Sequence, residues 1–208
     1  MVVRTGDWIS EAWGLVKEDF WMHALVALIF SAVSGSGIGM LVWGPLLCGY
    51  YLMIIDKLRA PDRPLNLNGL GKGFDVFVEA FVASLLVGVF AGLGALACFV
   101  GALIVQGLLL FTYPLIIDRK RGFWDAISES YQMAGRNWFG FTVLVFLVGL
   151  LASLITLLTC GLGYFVAFPL AQITYVLAYR DNFGLADESA VPDKPIPPPP
   201  GPPPAPEQ

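Results

Sequence analysis

Residues 137–179 read NWFGFTVLVFLVGLLASLITLLTCGLGYFVAFPLAQITYVLAY, 43 positions without a charge. A helix rising 1.5 Å per residue needs about 20 apolar residues to cross roughly 30 Å of hydrocarbon. The stretch is therefore about two crossings long. Near its middle, Cys160-Gly161-Leu162-Gly163 supplies the permissive backbone of a tight turn. It reads as a helical hairpin in a membrane.

The same unit recurs upstream. Phe20 to Ile55 spans 36 residues whose only acidic or basic side chain is His23, and Phe77 to Ile117 spans 41 with only Glu79. Gly39, Gly101 and Gly163 are spaced by 62 and 62 residues, and Asp56, Asp118 and Asp181 by 62 and 63. Each glycine leads into an apolar run that one of these aspartates closes beside Lys57, Arg119 or Arg180. We expect an all-α integral membrane protein with six transmembrane helices, built as three hairpin repeats of about 62 residues over 7–58, 66–120 and 122–183. The membrane domain would cover 1–185. A soluble core of long buried helices is disfavoured by the length of the runs, and a β-barrel by their lack of alternation. The 57% hydrophobic and 13% charged composition and the mean hydropathy of +0.72 agree, since soluble chains carry about 25% charged residues.

Each unit opens with an amphipathic segment. In the first, Asp7 reads as the N-cap, and Trp8, Ile9, Ala12, Trp13, Val16 and Phe20 share a face. In the third, Phe123, Trp124, Ile127, Tyr131, Ala134 and Trp138 do so, and Ile9-Ser10-Glu11-Ala12-Trp13 aligns with Ile127-Ser128-Glu129-Ser130-Tyr131. The second is weaker: Phe74, Phe77, Val78 and Phe81 follow the glycine-rich segment 66–73. Aromatic residues on an apolar face opposite charges suit helices lying in the membrane interface; the alternative is that they extend the spans. The expected turns are Ser34 to Gly37, Ala91 to Gly94 (or anywhere up to Gly101) and Cys160 to Gly163. The returning spans contain Pro45, Pro114 or Pro169, which membrane bundles tolerate when neighbours satisfy the freed backbone groups.

All 12 Lys and Arg lie outside the three turns. The positive-inside rule then puts both termini and both inter-hairpin links in the cytoplasm of a bacterial inner membrane. Only short uncharged turns remain for the far side, which leaves no room for an extracytoplasmic domain. The acidic residues ahead of the first apolar run argue against a cleaved signal peptide. Residues 186–208 form a proline-rich cytoplasmic tail expected to be disordered and extended. Pro197, Pro200 and Pro203 in it are candidate contacts for a proline-binding partner, the plainer reading being a spacer.

No nucleophile–base set, phosphate-binding loop or metal-spaced cluster occurs, so neither catalysis nor a metal or other cofactor is expected. The net charge of −4 and the lack of a basic, aromatic-interleaved patch point away from nucleic acid. Cys48, Cys98 and Cys160 lack paired spacing and read as small buried hydrophobes, although a Cys98–Cys160 disulfide is open. His23 reads as an interfacial residue. The candidate polar positions are Gln106 and Gln172 inside the spans, where interhelical hydrogen bonding is the leading role, and Asp56, Asp118 and Asp181. An acid at a helix C-terminus faces the unfavourable end of the dipole, so its recurrence needs a reason. Either each aspartate pairs locally with a basic neighbour, or the three form a ring that binds a cation or basic partner.

Pro114-Leu115-Ile116-Ile117-Asp118-Arg119, Gly122-Phe123-Trp124-Asp125-Ala126, Arg136-Asn137-Trp138-Phe139, Cys160-Gly161-Leu162-Gly163 and Ala178-Tyr179-Arg180-Asp181-Asn182-Phe183-Gly184 resemble uncharacterised bacterial multipass proteins. They are similar to the membrane domain found beside some glycerophosphodiester phosphodiesterases. The resemblance implies a helical inner-membrane domain without catalytic residues of its own. The expected role is a non-enzymatic scaffold or accessory subunit touching the bilayer and other membrane proteins or itself; a transporter or channel for a small or lipid-like solute is the competing reading.

Overall fold

The computed structural model describes residues 3–35, 39–97 and 99–186. All regular structure among them is helical: α1 (Thr5–Glu18), α2 (Phe20–Ser34), α3 (Gly39–Arg59), α4 (Asn68–Lys72), a 3-10 turn (Gly73–Val76), α5 (Phe77–Ala97), α6 (Phe99–Leu108), α7 (Thr112–Arg119), α8 (Phe123–Gly135), α9 (Trp138–Leu158) and α10 (Tyr164–Phe183). Pro197, Pro200 and Pro203 of the tail lie outside the described residues, as does Cys98 of the conceivable disulfide.

Among the described residues, four helical stretches are long and apolar enough to cross a membrane: Gly39–Arg59, Asn68–Leu96, Val100–Arg119 and Trp138–Leu158. Six were expected. The first outgoing segment, α2, is apolar but only 15 residues long, about 22 Å against a hydrocarbon core of about 30 Å. The last returning segment, α10, has 20 residues but includes Gln172, Tyr175, Tyr179, Arg180 and Asp181. Its position accounts for that composition: α10 packs on α1, α2, α3 and α9 and buries both faces, from Ala167 and Phe168 to Ala178 and Tyr179.

Helix α3 is similarly enclosed, by α2, α4, α5, α7 and α10. By contrast α5 and α9 turn large apolar side chains outward, among them Leu85 and Val89 on α5 and Leu147, Leu150 and Leu154 on α9. Lipid tails are as apolar as leucine, so such a bundle is held by close packing rather than by the hydrophobic effect. Two aromatic clusters do much of it. Phe30 of α2 meets Phe168 of α10 at 4.7 Å between ring centroids, with Tyr50 of α3 stacked 6.1 Å from Phe168. Phe111 meets Phe141 of α9 at 5.1 Å and Phe183 of α10 at 5.2 Å.

Several local expectations shift. Helix α1 begins at Thr5, so Asp7 is not its N-cap; it sits in the first turn and bonds Arg4 Nε at 2.8 Å. Helix α5 continues through Ala91–Gly94 to Ala97, placing the second turn at the late end of the expected range. Gly94 and Gly101 face each other across it so closely that a Cβ on Gly94 would lie 2.8 Å from the Gly101 carbonyl. Gly88 and Gly92, which have packing spacing in sequence, are exposed with nothing within 4 Å of an added Cβ. The third turn holds Cys160 at φ 52° and Gly161 at φ 93°, left-handed backbone that only glycine adopts without cost. Cys160 is exposed there, whereas Cys48 is buried.

The amphipathic helices divide their apolar faces in two. Trp8, Ala12 and Val16 of α1 are buried against the bundle, while Trp13, Phe20 and Trp21 stay exposed. On α8, Ala126, Ser130 and Ala134 are buried and Trp124 and Tyr131 are exposed, as are Trp138 and Phe139 at the start of α9. Phe74, Phe77 and Phe81 form an outward stack with centroids 6.3 and 6.0 Å apart. Such aromatic side chains fit the headgroup level of a bilayer.

Candidate functional site

The three aspartates do not converge on one centre; each is engaged by a different part of the chain. Asp118, at the end of α7, has a fully buried side chain. Its Oδ1 accepts from Arg59 Nη2 at 2.5 Å, and its Oδ2 accepts from Tyr179 Oη at 2.8 Å and from the Ala186 backbone N–H at 3.0 Å. Arg59 also donates to the Ala186 carbonyl at 2.6 Å. One carboxylate thus ties the ends of α3, α7 and α10 to the segment after α10. The Arg59–Asp118 bond is strong because donor and acceptor are both charged.

Asp181 works differently. Its Oδ2 accepts from the indole N–H of Trp8 at 2.8 Å, and its Oδ1 from Arg180 at 2.9 Å. Arg180 in turn forks onto both oxygens of Glu11 at 2.6 and 3.0 Å. These bonds dock α1 onto the end of α10. A matching link joins α8 to the end of α7, where Glu129 lies 3.9 Å from Arg119 and 3.3 Å from Arg121. Asp56 is more exposed and lies 3.6 Å from Arg59. Among the described residues no group of three or more His, Cys, Asp or Glu is placed to hold a metal ion.

Inside the bundle, Tyr51 of α3 donates to Gln172 of α10 at 2.7 Å. Gln106 is exposed on α6, apart from that bond. His23 is buried within the bundle, with its Nδ1 2.9 Å from Tyr50 Oη. Sequence reasoning missed this pairing because the partner is 27 residues away on another helix.

It also missed Ser130. The returning stretch of the second hairpin is interrupted between α6 and α7, where Pro114 has no N–H to continue the ladder. Ser130 Oγ, wholly buried, accepts from Phe111 N–H at 3.1 Å and donates to the Leu108 carbonyl at 2.9 Å. One hydroxyl therefore satisfies a donor and an acceptor at the break, as buried backbone polar groups require. Ser130→Ala should cost about 1–3 kcal/mol, the penalty for stranding buried polar groups. Thermal melting in detergent reads it, and an unchanged midpoint would contradict this role. Within the aligned motif, Ser130 stands where the first segment has Ala12, a departure that was the one available signal.

Comparison with known proteins adds kinship without chemistry. An uncharacterised protein of Mycobacterium bovis and two of Mycobacterium tuberculosis are each 31% identical to this chain over 117 residues, covering 56% of it and 35% of theirs. The chain thus spans about a third of the length of these relatives. No family model matches it. No solved structure matches it.

Proposed function

We propose that the chain is a non-enzymatic scaffold or accessory subunit of a bacterial inner membrane, built from three hairpin repeats with six crossings and both termini cytoplasmic. The observation that carries this reading is a closely packed centre beside an apolar groove on the outside. At the centre, Ile54, Ile116, Ile173 and Leu177 are buried to 2% exposure or less. The outer groove, about 580 Å³, lies between α5, α6 and α8 and is lined by Phe90, Leu93, Leu108, Trp124, Ile127 and Tyr131. Exposed Gly88 and Gly92 on α5 offer a second outer surface of the small-residue kind on which membrane helices pack.

Packing order supports the repeats. Helix α3 packs on α4 and α5, the α6–α7 stretch on α8 and α9, and α10 on α1 and α2. Each returning stretch thus touches the opening and outgoing helices of the next unit, with the third closing on the first. The buried stripes Trp8, Ala12, Val16 and Ala126, Ser130, Ala134 occupy the same register, 118 positions apart. Six crossings are consistent with shielding: α10 is covered by its neighbours, so lipid does not demand that it be uniformly apolar. The resemblance to the membrane domain beside glycerophosphodiester phosphodiesterases implies the same kind of body, a helical module without catalytic residues. A transporter or channel is the competing reading, and the buried Tyr51–Gln172 bond is its best support.

The test is reconstitution of the full chain in liposomes, together with its mass in mild detergent. Solute and ion flux should stay at the level of protein-free vesicles, and the mass should reveal a stoichiometric partner or a defined self-assembly. Saturable flux that is abolished by Gln172→Leu would replace the scaffold by the transporter.

A further inference from the structure

A cleft of about 530 Å³ opens where α3 ends and the following loop meets α4. Its wall carries Lys57, Arg59, Arg63 and Lys72 against one carboxylate, Asp56. Two of these cations are committed elsewhere. Lys57 Nζ lies 3.0 Å from Asp19 and 3.7 Å from Glu18, and Arg59 holds Asp118 and lies 3.6 Å from Asp56. Arg63 and Lys72 are exposed and form no ion pair among the described residues. Asn66 lines the same space, and its side-chain carbonyl is held by the Asn68 N–H at 2.9 Å, which leaves its NH₂ as a donor. The floor is apolar, with Met53 and Leu65 buried.

We propose that this cleft binds the phosphate of an anionic phospholipid headgroup, with Arg63 and Lys72 as its cations. The position decides between anions. The cleft lies at the end of a helix long and apolar enough to cross the bilayer, so it stands at headgroup depth, where phosphodiesters are the concentrated anion. Cationic rim and apolar floor match a phosphate followed by its glycerol ester, and basic pockets between helix ends are a known physical solution for anionic lipids. The assignment rests on α3 crossing the membrane and holds for a scaffold or a transporter alike.

The full chain in a neutral maltoside is titrated with phosphatidylglycerol, with phosphatidylcholine of the same acyl chains, and with inorganic phosphate, and retained lipid is counted by native mass spectrometry. Phosphatidylglycerol should be retained in preference, and Arg63→Gln with Lys72→Gln should weaken that preference on the order of tenfold. Each single variant should take part of the loss, so the result stands even if the double variant folds poorly. Lys17→Gln, which removes an exposed cation from α1, should change nothing. Equal retention of the two lipids, a preference that survives removal of both cations, or the same loss in Lys17→Gln would overturn the site. Displacement of the lipid by inorganic phosphate at matched concentration would assign the cleft to a soluble anion and overturn the lipid assignment too.

Discussion

Arg59→Ala should lower stability by about 3 kcal/mol or more, the largest loss from any single charge in the chain. The reason is an asymmetry within its pair. The Asp118 side chain is wholly buried, whereas that of Arg59 is 23% exposed. Removing the guanidinium strands a carboxylate that cannot reach water, with only the Tyr179 hydroxyl and the Ala186 N–H left as donors. Removing the carboxylate, as Asp118→Asn, strands a cation that still touches solvent and has Asp56 3.6 Å away; that loss should be smaller by about half. Tyr179→Phe, which deletes one neutral donor, should cost about 1–1.5 kcal/mol. Melting of the three variants and of the Arg59→Ala, Asp118→Asn pair in one detergent gives a double-mutant cycle. Single losses that add to within about 0.5 kcal/mol would show that the two charges do not act as a unit.

The same pair shows how far sequence could be read. That the chain is helical and membrane-bound was legible, because charge-free length is a one-dimensional property. Asp118 and Asp181 could be singled out, because each closes an apolar run at a regular spacing, but not what they do there. Their partners were not legible: Arg59 lies 59 positions from Asp118, and Trp8 lies 173 from Asp181. Such contacts depend on which helix ends the packing brings together. Burial was illegible for the same reason. His23 looks polar in a linear scan, yet neighbours shield it, and no local pattern reports a neighbour. The amphipathic segments were partly legible. Period marks an apolar face, but only packing divides it into a strip against protein, such as Ala126, Ser130 and Ala134, and a strip left outward, such as Tyr131.

Gly49→Ala and Gly73→Ala should each destabilise the chain by about 2–3 kcal/mol, the upper range for overpacking a close-packed core. A Cβ on Gly73 would sit 2.7 Å from Gly49 Cα, and one on Gly49 would sit 2.8 Å from Leu70 Cα. Pro45 O, Gly49 N and Leu70 O would be approached more closely still. All of these are backbone atoms, so no side-chain rotation relieves the clash; α4 and the 3-10 turn must back away from α3. The direction opposes the ordinary effect of the substitution, since replacing glycine by alanine in a helix usually gains about 0.5–1 kcal/mol. Gly71 of α4 and Gly88 of α5 meet nothing within 4 Å, so Gly71→Ala and Gly88→Ala should be neutral or stabilising. Melting of the four variants side by side separates close approach from helix propensity, and equal midpoints for Gly49→Ala and Gly71→Ala would remove the argument. The contact has a consequence beyond stability. Gly69 and Lys72 of α4 line the basic cleft together with Lys57 and Arg59 of α3, so a bundle that folds with α4 displaced should also lose its preference for phosphatidylglycerol while both cations remain in place.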